Sequence, residues 1–152
     1  MKLTLHREVL VVEDDPNDIF LYERAFEKVI DPERITFLRN GEELIAHCAR
    51  FGNPDREEGA ELPDLPGLII LDIKMPIKSG LDVLEWIRNR PILRRIPIVI
   101  ISSSQAHRDI NTAYELGANA YIVKPLEFNV MVRTIDEVCR FWLNTITPPT
   151  YH

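Results

Sequence analysis

The sequence has little of what several classes of protein require. Its two cysteines, Cys48 and Cys139, form no CxxC pair and its four histidines have no metal-ligand spacing, so neither a disulfide framework nor a zinc site is predicted. The net charge is −6 and no basic run is present, which disfavours a nucleic-acid partner because phosphates need positive charge opposite them. No apolar run approaches the length that spans a bilayer. We therefore expect an acidic, cytoplasmic protein.

Short apolar runs recur along the 152 residues, each followed by a longer stretch with helical spacing. This alternation indicates repeated β and α units. Runs that are apolar at nearly every position belong to strands buried on both faces, so the sheet should be parallel and covered by helices on both sides. We predict one doubly wound α/β domain with five helices and with strands at 9–12, 35–38, 68–71, 96–101 and 120–123.

The predicted helices alternate with these strands. One contains a stripe that runs from Ile19 to Ile30 and ends at Asp31-Pro32, and another is supported by Leu81, Leu84 and Ile87. The others cover 41–50, 106–116, which is only weakly amphipathic, and 127–144. The segment 52–66 contains three prolines and many charged residues, so we predict a surface loop there.

Polar side chains follow four of the predicted strands. In an open parallel sheet, ligands bind beyond the carboxyl ends of the strands, so these positions should lie together. They are Glu13-Asp14-Asp15 after the first strand, Asp72 after the third, Ser102-Ser103-Ser104 after the fourth and Lys124 after the fifth. A simpler interpretation of the acidic run is a solvated turn in which Asp15 caps a helix and Pro16 takes its first position.

Taken together, the four groups of side chains suit a divalent cation and a phosphoryl group. Asp14, Asp15 and Asp72 offer hard oxygen ligands for Mg²⁺, which would relieve the repulsion between them. Lys124 could contact one phosphoryl oxygen and the Ser102 hydroxyl could donate to another. Asp72 is the best candidate for a nucleophile that forms an aspartyl-phosphate, because it stands alone at the end of the middle strand.

The segments that carry these residues resemble the receiver domain of response regulators in two-component signalling. The likeness covers about 8–143 and includes the intervals of 30 residues from Asp72 to Ser102 and 22 residues from Ser102 to Lys124. The ending 139–144 and the loop before the third strand are most similar to small regulators paired with bacterial phytochromes. The matching segments are VVEDDPND, ILDIKMP with Gly80, IPIVIIS and YIVKP.

The resemblance implies a flavodoxin-like fold, with strand order 2-1-3-4-5, and a role for each matching residue. Asp72 would be the phosphoacceptor. Mg²⁺ would be bound directly by Asp15, Asp72 and the Lys74 backbone carbonyl, with Asp14 acting through water.

The same resemblance implies that Lys124 contacts the phosphoryl group and forms a cis bond to Pro125. Ser102 and Tyr121 would be the switch residues that respond to phosphorylation. Lys74 and Ser104 occupy positions that tune the lifetime of the phosphoryl group.

We therefore expect a receiver domain at 1–144 and a tail at 145–152 that is too short for an output domain. Such a protein is a phosphoacceptor rather than an enzyme, and it acts by contacting partners. The expected partner is a sensor histidine kinase, of the bacterial phytochrome type in the closer resemblance. Its signal would pass through the face formed by the fourth helix, the fifth strand and the fifth helix.

The aromatic end of the last helix suggests a second partner. Phe141, Trp142 and Leu143 cannot all be buried on one helical face, so they form either a local satellite cluster or a homodimer contact. The prolines in 145–149 favour an extended arm that lies across a neighbouring molecule rather than folding back. We expect the homodimer.

The sequence leaves two alternative functions open. A Mg²⁺-dependent phosphohydrolase of the haloacid-dehalogenase type would also use an aspartyl nucleophile, but it needs a second aspartate two residues later, where this chain has Lys74. An interaction scaffold that is never phosphorylated is the other alternative. The presence of every ionic group that phosphotransfer requires counts against the scaffold.

Overall fold

The five predicted strands form one parallel sheet in the order β2-β1-β3-β4-β5. A computed structural model describes Lys2 and the ranges 7–51 and 65–149, and all counts of helices and strands refer to those residues. The prediction of a doubly wound sheet in this order is confirmed. The strands are β1 Val9–Val12, β2 Ile35–Leu38, β3 Leu68–Leu71, β4 Ile98–Ser102 and β5 Ala120–Val123.

Five α-helices are present in the described residues, as predicted, of which four connect successive strands and the fifth follows β5. They are α1 Pro16–Val29, α2 Gly41–Ala49, α3 Gly80–Arg88, α4 His107–Glu115 and α5 Phe128–Arg140. Short 3₁₀ turns occur at Pro32–Arg34 and Leu93–Arg95, and a π-helical turn at Phe141–Thr145 follows α5. None of the helices described is both long enough and apolar enough to cross a membrane.

Several details differ from the sequence predictions, and α2 and α4 each end within one residue of their predicted bounds. β4 starts after Pro97, because proline has no N–H to give to the ladder. The last helix changes to π geometry at Phe141 instead of continuing to 144. Of the predicted surface loop, 52–64 lies outside the described residues, but Leu65 is buried in the core beneath α2 and α3.

Alternate residues of each strand pack on opposite faces of the sheet. Val9 and Val11 face a core formed with α1 and α5, whereas Leu10 and Val12 face a core formed with α2, α3 and α4. The helices do not contribute equally to these two cores, since Ala113 is the only buried residue of α4. Little apolar burial therefore fixes α4, as the thin apolar stripe predicted.

One arginine connects the loops at the amino end of the sheet. Arg88 of α3 is partly buried, and this burial lowers the pKa of its guanidinium. Gly117, with φ of 103°, lies so close to Arg88 that a Cβ would be 2.9 Å from its Cγ. The guanidinium donates four hydrogen bonds of 2.8–2.9 Å, to the carbonyls of Gly117, Arg94 and Ile96 and to Asn119 Oδ1.

We predict that Arg88→Lys lowers the free energy of unfolding by about 2–4 kcal/mol, because a lysine ammonium cannot reach all four acceptors and some stay unpaired. Urea unfolding followed by circular dichroism measures the change. Arg94→Lys, at an exposed neighbouring position, is the control and should cost less than about 0.5 kcal/mol. Equal stability of Arg88→Lys and the wild type would contradict the assigned role.

Candidate functional site

The carboxyl ends of four strands bring acidic, hydroxyl and ammonium groups to one edge of the sheet. The backbone fixes them there, because Asp72 N–H donates to Val12 O at 3.2 Å and Lys124 N–H donates to Ser102 O at 2.8 Å. Ser102 is fully buried and Asp72 is nearly so. The Lys124 ammonium lies 3.8 Å from Asp72 Oδ2, so the two charged groups at the centre of the site are close.

Three carboxylates form the acidic part of this site. Glu13, Asp14 and Asp72 each offer an oxygen within 4.8 Å of the others. Glu13 is buried, and its carboxylate accepts hydrogen bonds from Lys124 Nζ at 2.8 Å and from Asp15 N–H at 3.2 Å. Hard oxygen ligands in such a cluster are the kind that Mg²⁺ and Mn²⁺ prefer, so the residues present fit a divalent cation.

The expected metal ligand Asp15 lies in a different place. Its Oδ1 accepts from Asn17 N–H at 2.8 Å and Asp18 N–H at 3.2 Å, which makes Asp15 the N-cap of α1, with Pro16 in the first helical position. The simpler interpretation of this residue is therefore confirmed. Glu13, rather than Asp15, lies within 4.8 Å of the oxygens of Asp14 and Asp72, and the capping signature of Asp15-Pro16 is the sequence signal that favours this arrangement.

The site also contains Asp18, which was not among the residues predicted from the sequence. Its Oδ2 lies 2.9 Å from Lys124 Nζ, so the lysine is bound between α1 and the end of β1. Asp18 stands three residues after the N-cap, where a helical side chain points back toward the preceding strand end. Lys124 thus contacts Glu13 and Asp18 more closely than it contacts Asp72.

Burial and charge act against each other at Glu13 and Lys124. The pKa of Glu13 is raised to about 7, mainly by burial and also by the charge of Asp72, while the hydrogen bond from Lys124 opposes the rise. Burial alone would lower the pKa of Lys124, but its hydrogen bonds to Glu13 and Asp18 outweigh that effect and raise it. The ammonium therefore remains charged, and it offsets the repulsion between the surrounding carboxylates.

Two expected switch residues lie beside this cluster. The Ser102 hydroxyl oxygen accepts from Ser104 N–H at 3.3 Å, and the Tyr121 hydroxyl donates to Ser104 O at 2.7 Å. Tyr121 is already partly buried against the core, and its N–H donates to the Tyr114 hydroxyl at 3.0 Å. The ring therefore faces the loop after β4 in this structure.

The Lys124–Pro125 bond is trans, so the expectation of a cis bond is wrong. The trans form of a bond before proline is favoured by about 0.5–1 kcal/mol in the absence of other constraints. Here the trans bond is compatible with the backbone bond from Lys124 to Ser102 and with both contacts of its ammonium.

The loop after Asp72 is tightly packed. Lys74 N–H donates to Asp72 Oδ1 at 3.4 Å, which places the main chain of Lys74 beside the cluster. Gly80 begins α3 directly against the same turn, because a Cβ on it would lie only 2.0 Å from Asp72 O. No larger residue could occupy position 80 without moving the backbone that carries Asp72.

The aromatic end of the chain lies away from this site. Trp142 and Leu143 pack partly buried against the core of α1 and α5, while Phe141 is 49% exposed. In this structure the described tail residues lie beside the amino end of the sheet, because Ile146, Pro148 and Pro149 line one cavity with Gly67 and Pro97. A cavity of about 190 Å³ there is lined by Arg7, Gly67, Pro97, Trp142, Leu143, Ile146, Pro148 and Pro149.

Comparison with known proteins agrees with this geometry. The model of the response regulator receiver domain family matches residues 9–136. The chain belongs to this family, whose members are signalling receivers rather than enzymes of the ordinary kind.

Two curated relatives match over most of their length. The probable methanogenesis regulatory protein FilR2 of Methanothrix harundinacea is 33% identical over 89% of this chain and 83% of its own. Response regulator Rcp1 of Synechocystis sp. is 30% identical over 93% of this chain and 92% of its own. Single receiver domains of this size are therefore found among its relatives.

Two solved structures share the fold across nearly the whole chain. The phosphorylated cyanobacterial phytochrome response regulator RcpA has a TM-score of 0.80 and 32% identity, over 95% of this chain and 99% of its own. The Mn²⁺-bound form of Rcp1 has a TM-score of 0.77 and 30% identity, over 95% of this chain and 99% of its own.

The raised pKa of Glu13 predicts how stability depends on pH in the metal-free protein. Between pH 4.5 and about 7 the folded state keeps a proton on Glu13 that the unfolded chain has lost. The free energy of unfolding should therefore fall as the pH rises through this range, by at most ~1.4 kcal/mol per pH unit.

Urea unfolding at several pH values with EDTA present measures this slope. Glu13→Gln has no titrating group at position 13, so its free energy of unfolding should fall less steeply with pH than that of the wild type. Glu42→Gln, at an exposed position in the first turn of α2, should retain the wild-type slope. Identical slopes for Glu13→Gln and the wild type would show that Glu13 does not titrate in this range.

Proposed function

We propose that this protein accepts a phosphoryl group on Asp72 from the phosphohistidine of a sensor histidine kinase. The observation that carries the proposal is the position of Asp72, which lies among Glu13, Asp14 and Lys124 at the edge of a receiver sheet. In this reaction an Asp72 oxygen bonds to phosphorus, the bond from phosphorus to the histidine nitrogen breaks, and the imidazole leaves with that electron pair.

Glu13, Asp14 and Asp72 are the side chains that would hold Mg²⁺, together with the Lys74 backbone carbonyl. The Mn²⁺ in the Rcp1 structure supports a divalent cation in this family. Bound there, Mg²⁺ neutralises negative charge on the transferring oxygens. Lys124 contributes a second positive charge, 3.8 Å from Asp72 Oδ2, and the Ser102 hydroxyl is available to a phosphoryl oxygen.

A kinase of the bacterial phytochrome type is the proposed donor. RcpA is a phytochrome response regulator and matches this chain over nearly its full length, which supports that partner. We place the receiver domain at 1–144 and the tail at 145–152, and we propose a cytoplasmic location, since receiver domains meet their kinases there.

Phosphorylation is proposed to shift the loop after β4 together with α4. The weak burial of α4 supports this, because few contacts must break for the helix to move. Ser102 would turn toward the phosphoryl oxygens, and Tyr121, already bonded to Ser104, would keep its inward position more strongly. The signal would then reach partners through α4, β5 and α5.

We predict that incubation with acetyl phosphate and Mg²⁺ adds the mass of one phosphoryl group to the intact protein. Asp72→Asn should abolish the addition, and Asp82→Asn, at an exposed position of α3, should not change it. EDTA should prevent labelling of the wild type. Hydrogen exchange of the same samples should change most within 102–125.

Equal labelling of Asp72→Asn would disprove the assignment of the phosphoacceptor. Unchanged exchange across 102–125 in fully labelled protein would disprove the proposed switch.

A homodimer is proposed through the face of α4, β5 and α5. Tyr114, Val123 and Leu126 expose apolar surface on this face or in the adjoining loop, and Leu126 is fully exposed. Phe141, which follows α5, adds a half-exposed ring. Trp142 and Leu143 were expected to join the contact, but their packing against the core supports a structural role, so Phe141 is the residue to test.

We predict a dimer at micromolar concentration without phosphorylation, and weaker association after Phe141→Ala combined with Leu126→Ala. Sedimentation velocity measures both. Phe20→Ala, which removes a ring that is 55% exposed on α1, is the matched control and should leave association unchanged. A monomeric wild type would rule out the dimer.

A further inference from the structure

The Lys124 ammonium is held between two carboxylates, neither of which is the phosphoacceptor. Its Nζ lies 2.8 Å from Glu13 Oε2 and 2.9 Å from Asp18 Oδ2, but 3.8 Å from Asp72 Oδ2. The first two distances are hydrogen bonds, and the third exceeds hydrogen-bond length. An ammonium has three donors, so Glu13 and Asp18 use two of them and Asp72 uses none in this arrangement.

Besides this contact, the Asp18 carboxylate stands in the first turn of α1, where its negative charge also favours the helix dipole. The N-cap of α1 is formed by Asp15, whose Oδ1 accepts from the Asp18 backbone N–H, and a change of the Asp18 side chain leaves that bond intact. Its carboxylate reaches across to a lysine 106 residues away in the sequence. The Lys124 side chain is only 11% exposed, so water screens the pair weakly.

Resting on the proposed function, we propose that Asp18 is a positioning residue that keeps Lys124 off Asp72 until the phosphoryl group arrives. A Lys124 ammonium paired directly with Asp72 would compete with a divalent cation for that carboxylate. By binding the ammonium on the α1 side, Asp18 leaves Asp72 available to the cation, and Glu13 is then the one carboxylate of the described cluster that is hydrogen-bonded to the ammonium. The phosphoryl group then adds negative charge beside Asp72, and the ammonium moves from Asp18 to a phosphoryl oxygen.

The first consequence concerns the binding of Mg²⁺ alone, with no phosphodonor present. In Asp18→Asn, Lys124 loses one anchor and can pair with Asp72, so Mg²⁺ should bind more weakly than to the wild type. Calorimetric titration, or amide chemical shifts during a titration, gives the dissociation constant. Asp82→Asn removes an exposed aspartate from the first turn of α3 and should leave that constant unchanged.

A loss of affinity could also follow simply because one negative charge is removed near the cation. A double-mutant cycle with Lys124→Gln separates the two explanations, because Coulomb interactions between fixed charges add independently whereas movement of Lys124 does not. If Asp18 acts by positioning Lys124, Asp18→Asn should weaken Mg²⁺ binding at least about threefold more when Lys124 is present than in the Lys124→Gln background. Lys124→Met provides a second background if Lys124→Gln does not fold.

Equal loss of affinity in the two backgrounds, or no loss beyond that of Asp82→Asn, would overturn the positioning role. A separate result would overturn the proposed function itself, namely Mg²⁺ binding to Asp72→Asn as tight as to the wild type. Wild-type binding that depends on Asp72, together with a larger effect of Asp18→Asn when Lys124 is present, is the outcome that the proposal requires.

Discussion

The site depends on one ammonium that offsets the charge of four carboxylates. Glu13, Asp14, Asp18 and Asp72 meet where strands end, and water reaches Glu13 and Asp72 poorly. Buried like charges raise one another's free energy unless a cation or a proton relieves them. Lys124 supplies that cation in the absence of metal, and its hydrogen bond to Glu13 opposes the rise in the Glu13 pKa that burial causes.

The two ends of the sheet differ in how firmly they are held. At the amino end, Arg88 ties the loops before β4 and β5 to α3 through four hydrogen bonds, and Leu143 packs against Gly67. At the carboxyl end, α4 contributes one buried residue, and polar contacts hold the loop after β4. A change of charge at Asp72 would therefore act on the less restrained end of the sheet.

Much of the fold could be read directly from the sequence, because the physics involved is local. Strands buried on both faces must be apolar throughout, so the runs at 9–12 and 68–71 match the observed strands residue for residue. The edge strands at 35–38 and 120–123, which are only partly buried, match as well. Asp72 and Lys124 follow such strands immediately, and parallel strands must end at the same edge. Their proximity was thus determined by sequence alone. The weak packing of α4 was visible in the same way, from its thin apolar stripe.

Tertiary structure decided what local pattern leaves open. In the run Glu13-Asp14-Asp15 every residue is a possible metal ligand. Which of them face the cluster depends on which carboxylate accepts hydrogen bonds from the first N–H groups of α1. Asp15 caps α1, and Glu13 joins the cluster. Asp18 reached the site only because α1 packs beside the lysine that follows β5, a contact between distant parts of the chain. The partial burial of Trp142 and Leu143 likewise depends on the core that lies next to them. Periodicity shows which residues are apolar but not which surface covers them. Sequence determined the strands and the chemistry at their ends, whereas the partner of each charge was set by packing between elements far apart in the chain.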